Sequence, residues 1–322
     1  MASARGGLKA FGEPRKMNSR GFIHQVWNGK VYPPFYDREA IDTMKSSWET
    51  DQYDIIICTH QKVGTHLTKK FVVEILRHGI NYPPNHGIAK GDIGHDTVPW
   101  PEVIVSQHEI AHFNDFLERT NGFPRLWYLH CHWEDFPFKS LHPKTKFIFV
   151  FRDPRGAFES QFHFYKSHPM LGVDPGLTQE EFLDMFLEGN MYFGDYHQHT
   201  LEWLSGCNGK ITSDNLLVVR YEDLVEEKLK TANRIADFVL PEHNLSSEKM
   251  DEIIGATEFS KMKHEMTHNP QSFHFNPQTF FRQGKSYGWM EKLAPEIISK
   301  IDKKSTKIWG QGNLSHPPLP YH

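Results

Sequence analysis

Cysteine is scarce: the 322-residue chain has three, Cys58, Cys131 and Cys207, odd in number and far apart. That spacing excludes a disulfide framework and suits reduced thiols. Long apolar runs are missing too. No segment approaches the length of a membrane span, and the opening MASARGGLKAFGEPRKM has no apolar core like that of a signal peptide. The expected location is therefore the cytoplasm, away from membranes, where Asn244-Leu245-Ser246 would carry no glycan. Nor does one sign of charge dominate. With 40 acidic and 36 basic residues the net charge is −4, which leaves no overall basic field for nucleic acid or an anionic membrane. Any phosphate binding has to be local. Repeats and low-complexity tracts are absent, and the length suffices for one large domain with a full core.

What is present begins with DIIICTHQKVGTHLTKKFVVEIL, from Asp54 to Leu76. The β-branched run from Ile55 to Ile57 predicts a strand, a polar turn follows around Gly64, and Val72, Val73, Ile75 and Leu76 return with helical spacing. A strand, loop and helix in that order aim the free N–H groups of a helix start, and a lysine, at one small space suited to an anion. Strands are predicted at 55–59, 126–129, 147–151 and 216–220, with helices over 65–77, 157–165, 192–204 and 226–239. This alternation predicts an α/β fold: a single domain whose central, mostly parallel sheet is flanked by helices, with ligands beyond the carboxyl ends of the strands. Residues 1–50, polar and broken by Gly and Pro, read as an extended arm packed on a domain spanning 51–322. The His-, Pro- and Phe-rich segment 264–281 reads as a long functional loop.

The opening loop is not a Walker motif, because Lys62 precedes Gly64 instead of following it. Instead THQKVGTHL, Thr59 to Leu67, resembles the Thr-Tyr-Pro-Lys-Ser-Gly-Thr-Thr-Trp phosphosulfate loop of the cytosolic-type sulfotransferases, which use 3′-phosphoadenosine 5′-phosphosulfate (PAPS). Lys62, Gly64 and Thr65 match, while Gln61, Val63, His66 and Leu67 replace Pro, Ser, Thr and Trp. Downstream, RDPRGAFES has Asp153 as a helix cap and Pro154 in the first turn. The family's second motif sets an arginine and a serine at the spacing of Arg152 and Ser160, and a guanidinium fork with a hydroxyl suits a phosphate dianion. FFRQGKSYGW resembles the third motif, an Arg-Lys-Gly phosphate loop: Arg282 and Gly284 match, Gln283 replaces lysine and Phe281 precedes them. Tyr221 in VVRYEDL and Thr257, Phe259 and Met262 in ATEFSKMK fall where the family contacts adenine. Stacking of that base on aromatic side chains contributes about 1–3 kcal/mol per face.

The resemblance implies a P-loop-kinase-like sulfotransferase fold. It also implies transfer of a sulfuryl group from PAPS to a hydroxyl or amine of a small-molecule acceptor, with adenosine 3′,5′-bisphosphate as product and no metal required. In FPRLWYLHCHWEDFP the family's general base falls on His130, with Lys62 steadying the leaving oxygen; Tyr128 and Leu129 replace a Lys-Thr pair, and His132 is the rival base. Phe164 matches a position that gates the acceptor pocket, and His108, Trp127, His132, Trp133 and Phe136 are the further acceptor-site candidates. Two alternatives stand beside this. HEIAH, His108 to His112, satisfies the His-Glu-x-x-His zinc-protease pattern if it lies on one helix. A kinase-like phosphotransferase would need magnesium-binding carboxylates beside the loop, and no strand-end Asp stands in the right place. Many relatives dimerise through Lys-x-x-x-Thr-Val-x-x-x-Glu after the third motif; here WMEKLAPEIIS puts Ala294 and Pro295 at Thr-Val, so the expectation is a monomer or a dimer through another surface.

Overall fold

The computed structural model describes residues 15–16, 20–136, 139–168, 171–205, 209–268, 282 and 284–310. After three short strands, β1 (Arg15–Lys16), β2 (Ile23–Trp27) and β3 (Lys30–Tyr32), and helix α1 (Arg38–Ser47), four parallel strands form the centre: β4 (Asp54–Thr59), β5 (Arg125–Leu129), β6 (Lys146–Phe151) and β7 (Leu216–Arg220), in the order β5-β4-β6-β7. Each predicted strand is present within one residue at its amino end. Side chains along a strand alternate between faces, and here both faces are buried. Ile55, Ile57, Tyr128, Ile148 and Val150 pack with the helices α2 (Thr65–Gly79) and those at Lys228–Val239 and Ser247–Ala256. Ile56, Cys58, Trp127, Phe147 and Phe149 pack on the opposite side with residues of helices Pro154–Ser167, Tyr196–Leu204 and Pro295–Trp309. The near-continuous apolar strands thus reflect a sheet covered on both faces.

Four predicted segments differ in detail. The segment expected as an extended arm carries a hairpin, Ile23–Trp27 with Lys30–Tyr32, closed by Asn28-Gly29, and then a helix over Arg38–Ser47. Phe22, Tyr36, Met44 and Trp48 from this segment are buried in the main core. The helix predicted over 192–204 starts at Tyr196, because Asp195 accepts hydrogen bonds from the His197 and Gln198 N–H groups and caps it there. The one predicted over 226–239 is two helices, Tyr221–Glu226 and Lys228–Val239, broken at Glu227. Helix Phe259–His268 occupies the start of the predicted 264–281 loop, whose remainder, 269–281, lies outside the described residues.

Candidate active site

The loops leaving the carboxyl ends of β4, β6 and β7 converge on one cavity of about 280 Å³. Its wall includes Lys62, Gly64, Thr65, His66 and Leu67 from the first loop, Arg152 and Ser160 from the second, and Tyr221 from the third. Thr257, Phe259 and Met262 close one side, and Arg282 and Gly284 another. The cofactor residues expected from motifs more than 200 residues apart therefore line one space. Phe281 and Gln283 lie outside the described residues. Val63 points elsewhere: its side chain is fully buried in the main core, so only its backbone belongs to the loop.

The first loop is held in an unusual shape. Lys62 has φ +65° and Gly64 φ +113°, the latter a left-handed conformation that side chains resist. A Cβ on Gly64 would also meet Tyr221 Cδ2 at 2.7 Å. Gly64 leads into α2, which has no side-chain cap and no acidic residue in its first turn. The N–H groups at that end are left for a ligand. Gly284 is equally constrained, since a Cβ there would lie 2.4 Å from the Phe259 ring.

Charge in the cavity is mostly positive. The Arg152 guanidinium lies 4.2 Å over the Tyr221 ring, donates to the Lys62 carbonyl at 3.4 Å and the Lys285 carbonyl at 3.3 Å, and leaves Nε buried without a partner among the described residues. Burial, then the like charges of Arg282 and Arg152, push the half-buried Lys62 ammonium well below its ordinary range near 10.5. An anion beside it would restore that charge. Lys62 Nζ also lies 4.8 Å over the ring of Phe164. Spacing in the sequence gave no sign of Val225, Lys228, Glu258, Lys285, Gly288 and Glu159, which complete the wall.

His130 stands just beyond β5. Its Nδ1 is 2.9 Å from the Thr59 carbonyl oxygen and 3.0 Å from the Thr59 hydroxyl. A carbonyl can only accept, so Nδ1 carries the proton and Nε2 keeps a lone pair. Trp100 and Phe193 sit 5.0 and 5.3 Å from its ring, two neighbours that no motif indicated. Burial lowers its pKa to about 4, against the Thr59 carbonyl, which raises it; the charges of Lys69 and Lys62 lower it further. Lys69 is itself buried, its ammonium 4.3 Å over the Tyr128 ring, and burial draws its pKa down to about 7.

His132 does not share that position. The chain leaves strand geometry after Leu129 and turns at Trp133–Asp135, so alternation no longer applies. His132 Nδ1 pairs with Glu202 at 3.0 Å and its ring packs 5.2 Å from that of His199. Three other acceptor candidates are core residues. Trp127 is fully buried, donates to Asp54 at 2.8 Å and packs on Phe116, because strand alternation turns it into the main core. Trp133 packs against Trp203 and Phe136, with Phe136 in the same buried cluster. His108 lies outside the cavity on the surface, paired with Asp37 at 3.0 Å. It also precedes its helix: φ is +59° at His108 and the helix begins at Ile110. The two histidines of HEIAH therefore do not share one helical face, the arrangement on which the zinc pattern depends.

The buried histidines make stability depend on pH. His60, His130 and His199 all sit below 6.5, chiefly through burial, His60 at about 3 and His130 at about 4. The unfolded chain takes up these protons near pH 6.5 and the folded chain does not. Stability present above pH 6.5 is therefore lost as pH falls toward 4, by about 1.4 kcal/mol per pH unit for each histidine. Melting temperatures taken from about pH 7 down to pH 4.5 should fall steeply; a flat profile would contradict the neutral, buried assignment.

A doubly covered parallel sheet with a cationic, glycine-shaped loop at a strand end defines an α/β protein with a built anion site. A family model described as the sulfotransferase domain matches residues 52–309. The chain belongs to the sulfotransferase family and is a sulfotransferase, which sets aside the kinase and zinc-protease alternatives. It is 26% identical over 269 residues to sulfotransferase 6B1 of Danio rerio, covering 82% of this chain and 81% of that one. It is 24% identical to the 3-alpha-hydroxysteroid sulfotransferase of Cavia porcellus over 291 residues, 88% and 91% of the two chains. Among solved structures, mouse sulfotransferase SULT7A1 complexed with PAP superimposes with a TM-score of 0.69 at 22% identity, covering 90% of this chain and 96% of that one. Retinol dehydratase in a complex with retinol and PAP gives 0.63 at 18% identity, covering 96% and 100%. Among the described residues, no helix is long and apolar enough to cross a membrane.

Proposed function

We propose that the cavity binds PAPS and that the enzyme moves its sulfuryl group to a hydroxyl or amine of a small-molecule acceptor in the cytoplasm. The observation that carries this is the convergence of Lys62, Arg152, Arg282, Tyr221 and Phe259 on one cavity, where Gly64 packs closely on the Tyr221 ring and Gly284 on the Phe259 ring. The residues fit the nucleotide: Arg152 has a buried Nε with no partner among the described residues, α2 has no side-chain cap at its amino end, and Tyr221, Phe259 and Met262 offer faces for a base. Arg152, Ser160, Arg282 and Gly284 take the 3′-phosphate, and the N–H groups from Gly64 to Leu67 take the phosphosulfate. When bound, PAPS supplies both the sulfuryl group and its own leaving group, so the chemistry needs no metal. Lys62 steadies charge on the bridging oxygen. His130 Nε2 removes the acceptor proton, and an anion nearby raises its pKa from about 4 toward the working range. Phe164, beside Lys62, and the rings of Trp100 and Phe193, beside His130, form the acceptor side, which suits a planar or ring-bearing molecule.

Adenosine 3′,5′-bisphosphate should raise the melting temperature, since at about 100 times its Kd a ligand adds about 2.7 kcal/mol to the folded state. ATP with magnesium should do much less. Equal stabilisation by ATP, or turnover abolished by a chelator, would overturn the reading in favour of a phosphotransferase. For assembly we propose a monomer, or a dimer through a surface other than Trp289 to Ser299. Ala294 there serves as the cap of helix Pro295–Trp309 instead of the family's Thr-Val contact. Light scattering that gives a dimer, with crosslinks inside that segment, would refute this.

A further inference from the structure

A site for a phosphate dianion gains from keeping carboxylates at a distance, yet Glu159 stands in the cavity wall one residue before Ser160. Its side chain is 5% exposed and grips Arg282 with both oxygens: Arg282 Nη1 donates to Oε1 at 2.9 Å and Nη2 to Oε2 at 2.6 Å. This fork-on-fork arrangement is also how a guanidinium holds a phosphate. The same two donors cannot serve both partners fully. Arg152 differs, since among the described residues its guanidinium hydrogen-bonds to backbone carbonyls and not to a carboxylate.

We propose that Glu159 competes with the nucleotide's 3′-phosphate for Arg282, and so holds nucleotide affinity down and speeds release of the bisphosphate product. This rests on the reading of the cavity as a nucleotide site with Arg282 at the 3′-phosphate. Burial by itself would raise the Glu159 pKa, but the hydrogen bonds and charge of Arg282, then of Lys292, outweigh it and hold the carboxyl at about 2. Glu159 therefore meets the incoming phosphate as an anion. Lys292 makes the exchange feasible: its Nζ lies 3.0 Å from Oε1, and His163 Nε2 lies 3.4 Å from the same oxygen. When Arg282 turns to the phosphate, the carboxylate keeps a cationic partner and is not left buried alone, which would be strongly unfavourable.

Calorimetric titration of the full chain with adenosine 3′,5′-bisphosphate and with adenosine 5′-monophosphate tests the idea. Glu159→Gln keeps the shape and removes the charge, and should bind the bisphosphate about tenfold more tightly while binding the monophosphate within about twofold of wild type. Glu159→Asp, which keeps the charge but shortens its reach, should fall between. Bisphosphate affinity unchanged or weakened in Glu159→Gln would overturn the proposal and make Glu159 a support that orients Arg282. An equal gain for the monophosphate would overturn it too, because the effect would then be general charge and not the 3′-phosphate. If wild type fails to bind the bisphosphate, or Arg152→Ala binds it as well as wild type does, the nucleotide reading itself fails and takes this inference with it.

Discussion

His130→Ala is expected to lower the turnover number by about 10²–10⁴ while changing the Kd for adenosine 3′,5′-bisphosphate by no more than about twofold. The separation follows from the tautomer. The Thr59 carbonyl fixes the proton on Nδ1, which leaves Nε2 as a base for the acceptor and gives the ring no role in holding the nucleotide. His132→Ala is the matched control. That ring is tied to Glu202 and packs on His199, so its loss should reduce stability more than turnover in the folded fraction. Single-turnover rates and bisphosphate titrations on both variants check this. An active His130→Ala enzyme beside an inactive but folded His132→Ala enzyme would move the base to His132.

Lys62→Ala should lower turnover by about 10²–10³, the usual loss when one donor to a developing oxyanion is removed. Unlike the histidine variant, it should also weaken bisphosphate binding. The lysine is held toward the cavity by a left-handed backbone and sits among like charges from Arg282 and Arg152, so an anion gains from it before any bond breaks. Lys62→Arg would not restore full activity, since a planar fork cannot replace a compact ammonium at one bridging oxygen. A variant that raised only the Kd and left the single-turnover rate unchanged would show that Lys62 binds the ground state and nothing more.

The sheet was legible because strands buried on both faces write continuous apolar runs, and Lys62, Gly64, Arg152 and Tyr221 were legible because each follows one of those runs, whereas Thr257, Phe259, Met262, Arg282 and Gly284 follow no strand and were legible only through the motif resemblance. The amino-terminal hairpin was legible in principle: Asn28-Gly29 between Trp27 and Lys30 is a two-residue turn signature, outweighed in the sequence reading by the polar, Gly- and Pro-rich composition around it. Trp127 and Trp133 were misassigned because an aromatic near a site motif reads alike whether it faces a ligand or the core. Register decides, and it turns Trp127 toward Trp48 and Phe116. His108 was named an acceptor candidate from its place in the chain between the first two motifs, and such placement carries no information on whether a side chain reaches the cavity or, as here, pairs with Asp37 on the surface. Glu159 and Lys285 had no local signal at all, since what matters is their meeting with residues from other loops across the cavity.

The central claim is sulfuryl transfer from PAPS at this cavity, and the most direct measurement is incubation of the enzyme with sulfur-radiolabelled PAPS and a panel of phenols, alcohols, steroids, alkaloids and amines. The account predicts labelled product from at least one acceptor class, with matching release of adenosine 3′,5′-bisphosphate, insensitivity to chelator and loss of product with His130→Ala. Tight bisphosphate binding with no label passing to any acceptor class would contradict it and make the protein a nucleotide-binding regulator.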